Sequence, residues 1–457
     1  MLARHSITSL NHWYFKKNNR KPLLIRGARQ VGKTTLIRMF AKGHDLQLIE
    51  INMEKPWKFK NLIKGLDPKK VVEAIEFELN VDINPAKSLV FFDEVQSCPE
   101  VLPLMRYFFE EAPEYGVVVT GSLIDFILNT PEFSVPVGRI ELLYLHPLSF
   151  EEFLLAIGEK KVLEWIKNYK FGQEVSETIH AKCQSLIKTF LIVGGMPEAV
   201  YAYSQNRRFK ETEKIKSLIV DTFRLDFNKY QKKTNIPLLT SIYDAIPRMV
   251  GKKIIYSHLN QNYKSHEISL AVNQLSHARV VSKVYHTSAN GLPLSGEKKE
   301  NNFKIISLDC GILLSQLKLN PLDIEVSDKL HLVSQGDIAE QFIGQQLMHL
   351  SEDYSEPELY YWNREQKASS AEVDYVISSA GKVIPVEVKA GKTGSLKSLH
   401  LMIHERGLDF AVRFNSDYPS LVSEKRKTLK GDITYRFLSL PHYLVQRLHQ
   451  IIQDVPL

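Results

Sequence analysis

Residues 26–35 read Arg26-Gly27-Ala28-Arg29-Gln30-Val31-Gly32-Lys33-Thr34-Thr35. From Gly27 to Thr34 the spacing is G-x-x-x-x-G-K-T, a loop whose backbone N–H groups surround phosphate oxygens. An apolar run at residues 22–25 precedes the loop, and a helical pattern at residues 36–40 follows it. The loop therefore joins a buried strand to the N-terminus of a helix, which attracts anions. We predict a parallel α/β sheet in which residues 27–35 contact a nucleotide.

Four side chains complete the predicted nucleotide site. Lys33 is expected to reach the β- and γ-phosphates, and the hydroxyl of Thr34 to bind Mg²⁺. The apolar run at residues 88–92 ends in Asp93-Glu94, which is typical of a buried parallel strand with acids at its carboxyl end. We expect Asp93 to hold Mg²⁺ through water and Glu94 to activate the attacking water as general base.

The next strand, residues 116–122, brings polar side chains to the same edge of the sheet. Both Thr120 and Ser122 are candidates to contact the γ-phosphate or the water, and a Gly-Ser turn into a helix explains Ser122 equally well. Arg139 is a candidate arginine finger, in cis or across a subunit interface, or else a surface arginine.

Composition places the chain among ordinary globular proteins of several domains. Its 457 residues predict roughly two to four domains. No apolar run reaches the length of a membrane span, and no signal-peptide core follows the N-terminus, so we expect no membrane association. The three scattered cysteines predict a reducing, cytoplasmic location and argue against a zinc site. A net charge of +7 is compatible with nucleic acid without requiring it.

Periodicity divides the chain into four parts. Residues 1–150 alternate strands and helices, as a parallel α/β domain does. Residues 151–235 are helical, interrupted by Gly194-Gly195-Met196-Pro197, and are predicted to form a lid over the nucleotide site. Residues 236–325 contain three helical patterns and two strands, which predict a winged helix-turn-helix. The fourth part is residues 326–457.

The winged helix offers two interpretations. If it binds DNA, its third helix enters the major groove and lysines of the wing meet phosphates. The residues in question are Ser265, His266, Asn273, Gln274, Lys298 and Lys299. Because the third helix carries little positive charge, a structural or protein-contact role is the alternative.

The C-terminal part holds a second group of candidate site residues. Glu340 lies on a predicted helix, Asp374 near the start of a strand, and Glu387 and Lys389 on the next strand, facing the same side. The two strands can pair as a hairpin, so these side chains can converge. Asp374 and Glu387 offer oxygen ligands for a second Mg²⁺ or Mn²⁺, Glu340 can complete the metal shell, and Lys389 can position a water. The alternative is an ordinary exposed charge pair at positions 387 and 389.

Residues 26–35, Asp93-Glu94-Val95-Gln96 and the Gly121-Ser122 strand tip resemble the AAA+-type P-loop ATPases. With residues 147–153 and 194–198, the chain is similar to a prokaryotic group of these ATPases that carries a C-terminal domain of unknown function. Glu340, Asp374 and Glu387-Val388-Lys389 resemble the PD-(D/E)XK set of restriction endonuclease-like nucleases, although Val373 stands where proline is expected.

The resemblance implies a P-loop NTPase sheet and an α/β restriction endonuclease-like domain, to which the periodicity adds a helical lid and a winged helix. Our hypothesis is an ATPase that binds ATP and ADP and whose nucleotide state regulates a DNA-associated, metal-dependent nuclease. An oligomer or a protein partner is compatible with this resemblance. The alternatives are an ATP-dependent protein-interaction switch, or a DNA-binding regulator, with a catalytically silent nuclease-like docking domain.

Overall fold

The structure, a computed structural model, describes residues 2–16, 19–121, 138–230, 235–319, 335–364, 371–392, 394–428 and 431–455. The chain divides into two compact units. Unit 1 contains residues 1–146 together with residues 277–279 and 352–356. Unit 2 contains residues 147–276, 280–351 and 357–457.

Unit 1 is built on a five-stranded parallel sheet in the order β2-β3-β4-β1-β5. Every residue of β3 and β4 is buried, which explains their near-continuous apolar sequences. The elements are α1 (Ser6–Tyr14), β1 (Leu23–Arg26), α2 (Lys33–Gly43), β2 (Gln47–Asn52), α3 (Lys60–Ile63), α4 (Pro68–Leu79), β3 (Ser88–Asp93), α5 (Val101–Glu111), β4 (Gly116–Thr120) and β5 (Glu141–Tyr144). The predicted parallel sheet is confirmed.

The first part of unit 2 is helical, as its periodicity predicts. The helices are α6 (Phe150–Ala156), α7 (Lys160–Asn168), α8 (Glu177–Val193), α9 (Pro197–Asn206) and α10 (Phe209–Asp226). Ser149 caps the N-terminus of α6 with a capping box, in which its hydroxyl accepts from the backbone N–H of Glu152 and the Glu152 carboxylate accepts from the backbone N–H of Ser149. The predicted break at Gly194-Gly195 lies between α8 and α9. The role of these helices as a lid stays a prediction.

The middle of the chain shows the predicted sequence of helices followed by a hairpin. Its elements are α11 (Ile236–Ala245), α12 (Tyr256–Leu259), α13 (Ser265–His277), β6 (Val281–Thr287) and β7 (Lys298–Ser307). The hairpin is not a separate two-stranded wing, because β6 also pairs in parallel with the later strand Leu359–Asn363. The winged helix as a module therefore stays a prediction.

Unit 2 is completed by α14 (Cys310–Gln316), α15 (Gln335–Met348), β8 (Leu359–Asn363), β9 (Glu372–Ser379), β10 (Lys382–Val388), α16 (Lys397–Arg406), β11 (Phe410–Asn415), β12 (Ser420–Thr428), β13 (Gly431–Pro441) and α17 (Leu448–Asp454). Short 3-10 helices lie at Val95–Ser97, Phe227–Tyr230, Ile246–Arg248, Leu294–Glu297 and His442–Arg447. Eight strands form one mixed sheet in the order β12-β13-β11-β10-β9-β8-β6-β7. None of the described helices combines the length and apolarity that a bilayer crossing requires.

Candidate functional site

The turn of the phosphate-binding loop requires its glycines. Gly32, immediately before α2, has a φ of 94°, and Gln30 also has a positive φ of 64°. A Cβ atom on Gly27 would lie 2.4 Å from the carbonyl oxygen of Leu145, far inside van der Waals contact. The loop therefore turns tightly where β1 ends and leads directly into the N-terminus of α2.

Lys33 lies inside this loop rather than in solvent. Its ammonium donates hydrogen bonds to the carbonyl oxygens of Gly27, at 2.9 Å, and Ala28, at 2.8 Å. The side chain is buried. The loop carbonyls thus hold the cationic group at the position from which it can reach a bound phosphate.

Asp93 joins the loop to the carboxyl end of β3. One carboxylate oxygen accepts a 2.7 Å hydrogen bond from the hydroxyl of Thr34, and the other accepts from the hydroxyl of Thr120. A hydroxyl and a carboxylate are oxygen ligands of the kind that Mg²⁺ prefers, so these residues fit the predicted ion. Of the two polar candidates on β4, Thr120 contacts Asp93, whereas Ser122 lies outside the described residues.

Glu94 is held at the tip of β3 in an uncommon conformation. Its φ is 54°, and its backbone N–H donates to the Asp93 carboxylate at 3.0 Å. The amide of Gln96 donates a 2.6 Å hydrogen bond to a carboxylate oxygen of Glu94. Gln96 therefore orients the predicted general base. Its position two residues after Glu94, in the run Asp93-Glu94-Val95-Gln96, is the sequence signal for this function.

Arg139 lies at the amino-terminal end of the parallel strands, whereas the phosphate-binding loop lies at their carboxyl end. It precedes β5, whose first residue, Glu141, pairs with Leu23 at the amino end of β1. Its guanidinium forms a 2.8 Å ion pair with Glu110 and remains half exposed. Within one chain this placement matches a surface arginine and not an arginine finger. An action across a subunit interface stays a prediction.

One cluster in unit 1 has no counterpart among the predicted residues. Arg26, the last residue of β1, and Arg279 both lie over the ring of Tyr144 and both form ion pairs with Glu356. The Arg26 guanidinium also donates to the Tyr144 hydroxyl at 2.7 Å. The sequence offers no signal for this cluster, because Arg279 and Glu356 are distant from the loop along the chain.

The four C-terminal residues predicted to converge lie on neighbouring elements of unit 2. Glu340 is on α15, and β9 and β10 pair as the predicted antiparallel hairpin. The Asp374 carboxylate accepts a 2.7 Å hydrogen bond from the backbone of Val388. Lys389 contacts Glu387 at 2.5 Å. Glu387 is only 5 % exposed, which excludes an ordinary exposed charge pair.

Burial and like charge shape the chemistry of these acids. Burial, with a further contribution from Asp374, raises the pKa of Glu387 to about 8, and Lys389 opposes this only in part. The Glu387 oxygen Oε2 is buried without a hydrogen-bond partner among the described residues. We refer to Glu340, Glu372, Asp374 and Glu387 as the carboxylate cluster.

Lys304, which the sequence analysis did not single out, lies against this cluster. From β7 its ammonium forms ion pairs with Glu340 and, at 2.9 Å, with Glu372. Burial alone lowers the pKa of Lys304, but attraction from Glu340, Glu372 and Asp374 outweighs burial and holds the pKa well above its ordinary value. The sequence signal for Lys304 is its position as a lysine within the apolar run at residues 303–306.

The second metal predicted for the C-terminal part is not supported by this arrangement. Among the described residues, no three His, Cys, Asp or Glu side chains are grouped so that they could hold a metal ion. The ammonium of Lys304 supplies the positive charge that the buried carboxylates of Glu340 and Glu372 require.

The Gly194-Gly195 break has a structural function. The buried carboxylate of Asp309 accepts from the backbone of Gly195 at 2.6 Å, from Ile312 in the first turn of α14 at 3.1 Å, and from the amide of Gln345 at 3.0 Å. A Cβ atom on Gly195 would lie 2.2 Å from the carbonyl oxygen of Leu148. Asp309 thus connects the helical part of unit 2 to α14 and α15.

Three solved structures with low sequence identity resemble this chain in part. The Walker-type ATPase PABY2304 of Pyrococcus abyssi is 16 % identical, with a TM-score of 0.44, over 69 % of this chain and 96 % of its own. PCH-2 of C. elegans is 15 % identical, with a TM-score of 0.25, over 45 % and 59 %. A DNA replication initiation factor is 11 % identical, with a TM-score of 0.25, over 60 % and 89 %. No curated protein matches the chain.

Family models match three segments of the sequence. An AAA domain matches residues 19–154, and two domains of unknown function, DUF8612 and DUF4143, match residues 184–323 and 335–442. The first segment contains the loop, Lys33, Thr34, Asp93 and Glu94 in the geometry described above. Residues 19–154 therefore match an AAA domain and carry its phosphate-binding loop at residues 27–34.

Proposed function

We propose that unit 1 binds ATP with Mg²⁺ and hydrolyses it, with a separate function for each side chain at the carboxyl edge of its sheet. Lys33 exchanges its two loop carbonyls for phosphate oxygens of ATP. Thr34 and Asp93 hold Mg²⁺, which when bound neutralises charge on the phosphates. Glu94, oriented by Gln96, accepts a proton from the attacking water. The observation that carries this assignment is the direct hydrogen bond between Thr34 and Asp93.

The assignment of Glu94 is tested with Glu94→Gln. The amide retains the shape of the side chain and its contact with Gln96 but cannot accept the proton, so we expect ATP to bind while hydrolysis falls roughly 100-fold or more. The matched control is Glu111→Gln, at an exposed position in α5. ATP binding is measured by equilibrium dialysis and hydrolysis by phosphate release. Turnover by Glu94→Gln at the rate of the unsubstituted chain would refute this assignment.

For unit 2 we propose a restriction endonuclease-like domain. The element order from α15 to β11 is α-β-β-β-α-β, with β8, β9 and β10 antiparallel and β11 parallel to β10. Glu340, Asp374 and Glu387, the acids of the resemblance, lie on α15, β9 and β10, and Lys389 directly follows β10. These features support a site of nuclease ancestry, and we propose that its activity is regulated by the nucleotide state of unit 1.

A specific observation favours a second candidate function for the same unit. The ion pairs of Lys304 with Glu340 and Glu372 occupy two of the carboxylates that a metal ion would need. The chain would then be a nucleotide-dependent switch whose nuclease-like domain docks a protein or DNA without cutting. DNA contact by the helices and hairpin of residues 236–325 belongs to this candidate.

The two candidates are separated by incubating the full chain with plasmid and linear DNA, Mg²⁺ or Mn²⁺, with and without ATP. Lys389→Ala and Lys33→Ala are the comparison variants. Cleavage that disappears in Lys389→Ala and changes in Lys33→Ala supports the regulated nuclease. Intact DNA beside normal ATP hydrolysis supports the silent switch. DNA affinity that falls with salt and survives loss of Asp374 assigns binding to residues outside the cluster.

A further inference from the structure

Lys304 is among the most completely buried charged side chains in the described part of unit 2. Its side chain is 1 % exposed, although it lies on β7, an edge strand of the eight-stranded sheet. Its ammonium is paired with Glu340 of α15 and Glu372 of β9 and lies 5.2 Å from the centre of the Tyr361 ring. Burying a charge this completely is unfavourable unless opposite charges surround it. The position is therefore built to hold a cation.

The carboxylate cluster is built to surround a cation. Asp374 and Glu387 lie on the paired strands β9 and β10, and the hydroxyl of Tyr375, next to Asp374, donates a 2.9 Å hydrogen bond to the backbone carbonyl of Glu340. Besides burial, the charge of Asp374 raises the pKa of Glu340 and of Glu387, and the charge of Lys304 lowers both. The backbone at Gly251 covers the second oxygen of Glu340, where a Cβ atom would come within 2.9 Å. The unpartnered buried Oε2 of Glu387 is a further acceptor available to a ligand. Carboxylate oxygens are the ligands that a divalent ion of this kind prefers, and without the ammonium of Lys304 those of Glu340 and Glu372 would lose a cationic partner.

We propose that the ammonium of Lys304 is a resident cation that replaces a divalent metal in the carboxylate cluster and keeps it closed to Mg²⁺ and Mn²⁺. This inference rests on the proposed nuclease-like site, whose regulation it specifies. An ammonium and a divalent ion repel each other, so the ammonium of Lys304 weakens the binding of a divalent ion to the same buried carboxylates. The attraction from these carboxylates keeps Lys304 charged.

The experiment removes the charge and asks whether a metal takes its place. Lys304→Met has a similar length and no charge, whereas Lys304→Arg retains the charge. Lys397→Met, at an exposed position on α16, is the matched control. Mn²⁺ is titrated into each full-length protein without nucleotide, and the free ion is measured by its electron paramagnetic resonance signal.

We expect Lys304→Met to gain one Mn²⁺ site, with affinity at least ~10-fold above that of the unsubstituted chain, since a repelling charge has been removed. Adding Asp374→Asn to Lys304→Met should abolish the gain. Lys304→Arg and Lys397→Met should bind as the unsubstituted chain does. Equal Mn²⁺ binding by a folded Lys304→Met and by the unsubstituted chain overturns the proposal.

Removing the lysine also leaves buried carboxylates unpaired, so thermal unfolding of Lys304→Met is followed with and without millimolar Mn²⁺. Folding that is restored by Mn²⁺ supports the proposal, and a protein that stays unfolded in both conditions overturns it. DNA cleavage is assayed in parallel. If Lys304→Met gains a Mn²⁺ site but does not cleave DNA, the proposal for Lys304 stands and the proposed nuclease activity is refuted. If the unsubstituted chain binds Mn²⁺ through Asp374 and cleaves DNA, the nuclease activity stands and the proposal for Lys304 is refuted.

Discussion

The hydroxyl of Thr34 donates a 2.7 Å hydrogen bond to the carboxylate of Asp93, across 59 residues of sequence. Thr34 lies in the first turn of α2 and Asp93 ends β3, and the strand β4 separates β3 from β1 in the sheet. The bond therefore spans the carboxyl edge of three strands. It places a hydroxyl and a carboxylate side by side at the mouth of the phosphate-binding loop.

Replacing Thr34 by alanine should remove an Mg²⁺ ligand without disturbing the loop. We expect ATP hydrolysis to fall roughly 100-fold, because a preorganised electrostatic contact to the reacting phosphates is lost. Thr34→Ser retains the hydroxyl and should recover most of the rate. The measurement is steady-state phosphate release over a range of Mg²⁺ concentrations. Equal rates for Thr34→Ala and Thr34→Ser would show that the hydroxyl of residue 34 does not contribute to hydrolysis.

Gly27→Ala tests the close approach of the loop to residue 145. The new methyl group would meet the carbonyl oxygen of Leu145, so we expect the loop to shift, with a cost of about 1–3 kcal/mol and a loss of nucleotide affinity. Gly43→Ala is the matched control, because a Cβ atom at the end of α2 meets nothing within 4 Å. Urea unfolding and nucleotide titration report the two effects. Unchanged nucleotide affinity in Gly27→Ala would contradict the described geometry.

Asp309→Ala should destabilise unit 2. It removes the acceptor of two buried backbone N–H groups and of the Gln345 amide, so we expect a loss of about 3 kcal/mol in the free energy of unfolding. Asp432→Ala, at an exposed position on β13, is the control and should change the stability by less than about 0.5 kcal/mol. Chemical unfolding measures both. A loss no larger in Asp309→Ala than in the control would show that these hydrogen bonds contribute little.

His442 should make the stability of unit 2 depend on pH. Its imidazole is buried, and burial lowers its pKa from 6.5 to about 4. The unfolded chain therefore binds a proton between pH 6.5 and about 4 that the folded chain does not, and stability falls as the pH falls through this window. This pKa shift corresponds to a loss of at most about 3 kcal/mol in the free energy of unfolding, and the loss is complete below the pKa of the folded chain.

The measurement for His442 is the difference in unfolding free energy between the unsubstituted chain and His442→Gln at a series of pH values. Other histidines titrate equally in both proteins, so the difference isolates this group. We expect a constant difference above pH 6.5 and a change in favour of His442→Gln below it. A difference that stays constant down to pH 4 would mean that His442 is solvated or paired in solution.

Local features of the molecule follow from the sequence directly. The spacing from Gly27 to Thr34 specifies the loop, because tight backbone turns and a helix N-terminus are determined by neighbouring residues. The burial of β3 follows from its apolar run, and the β9–β10 hairpin from two strands separated by a glycine turn at Gly381. These elements need only short-range chain geometry and hydrophobic periodicity.

Tertiary structure alone decided which distant groups meet. Strand order brought Thr120 rather than Arg139 to Asp93, and it placed the β6–β7 hairpin in the same sheet as β9 and β10. Only that pairing delivers Lys304 to Glu340 and Glu372. The sequence alone determined the residues of the ATPase loop. The pairing of the carboxylate cluster with Lys304 was decided by long-range strand pairing. The residues next to an acid in the sequence do not determine which distant charged side chain will neutralise it.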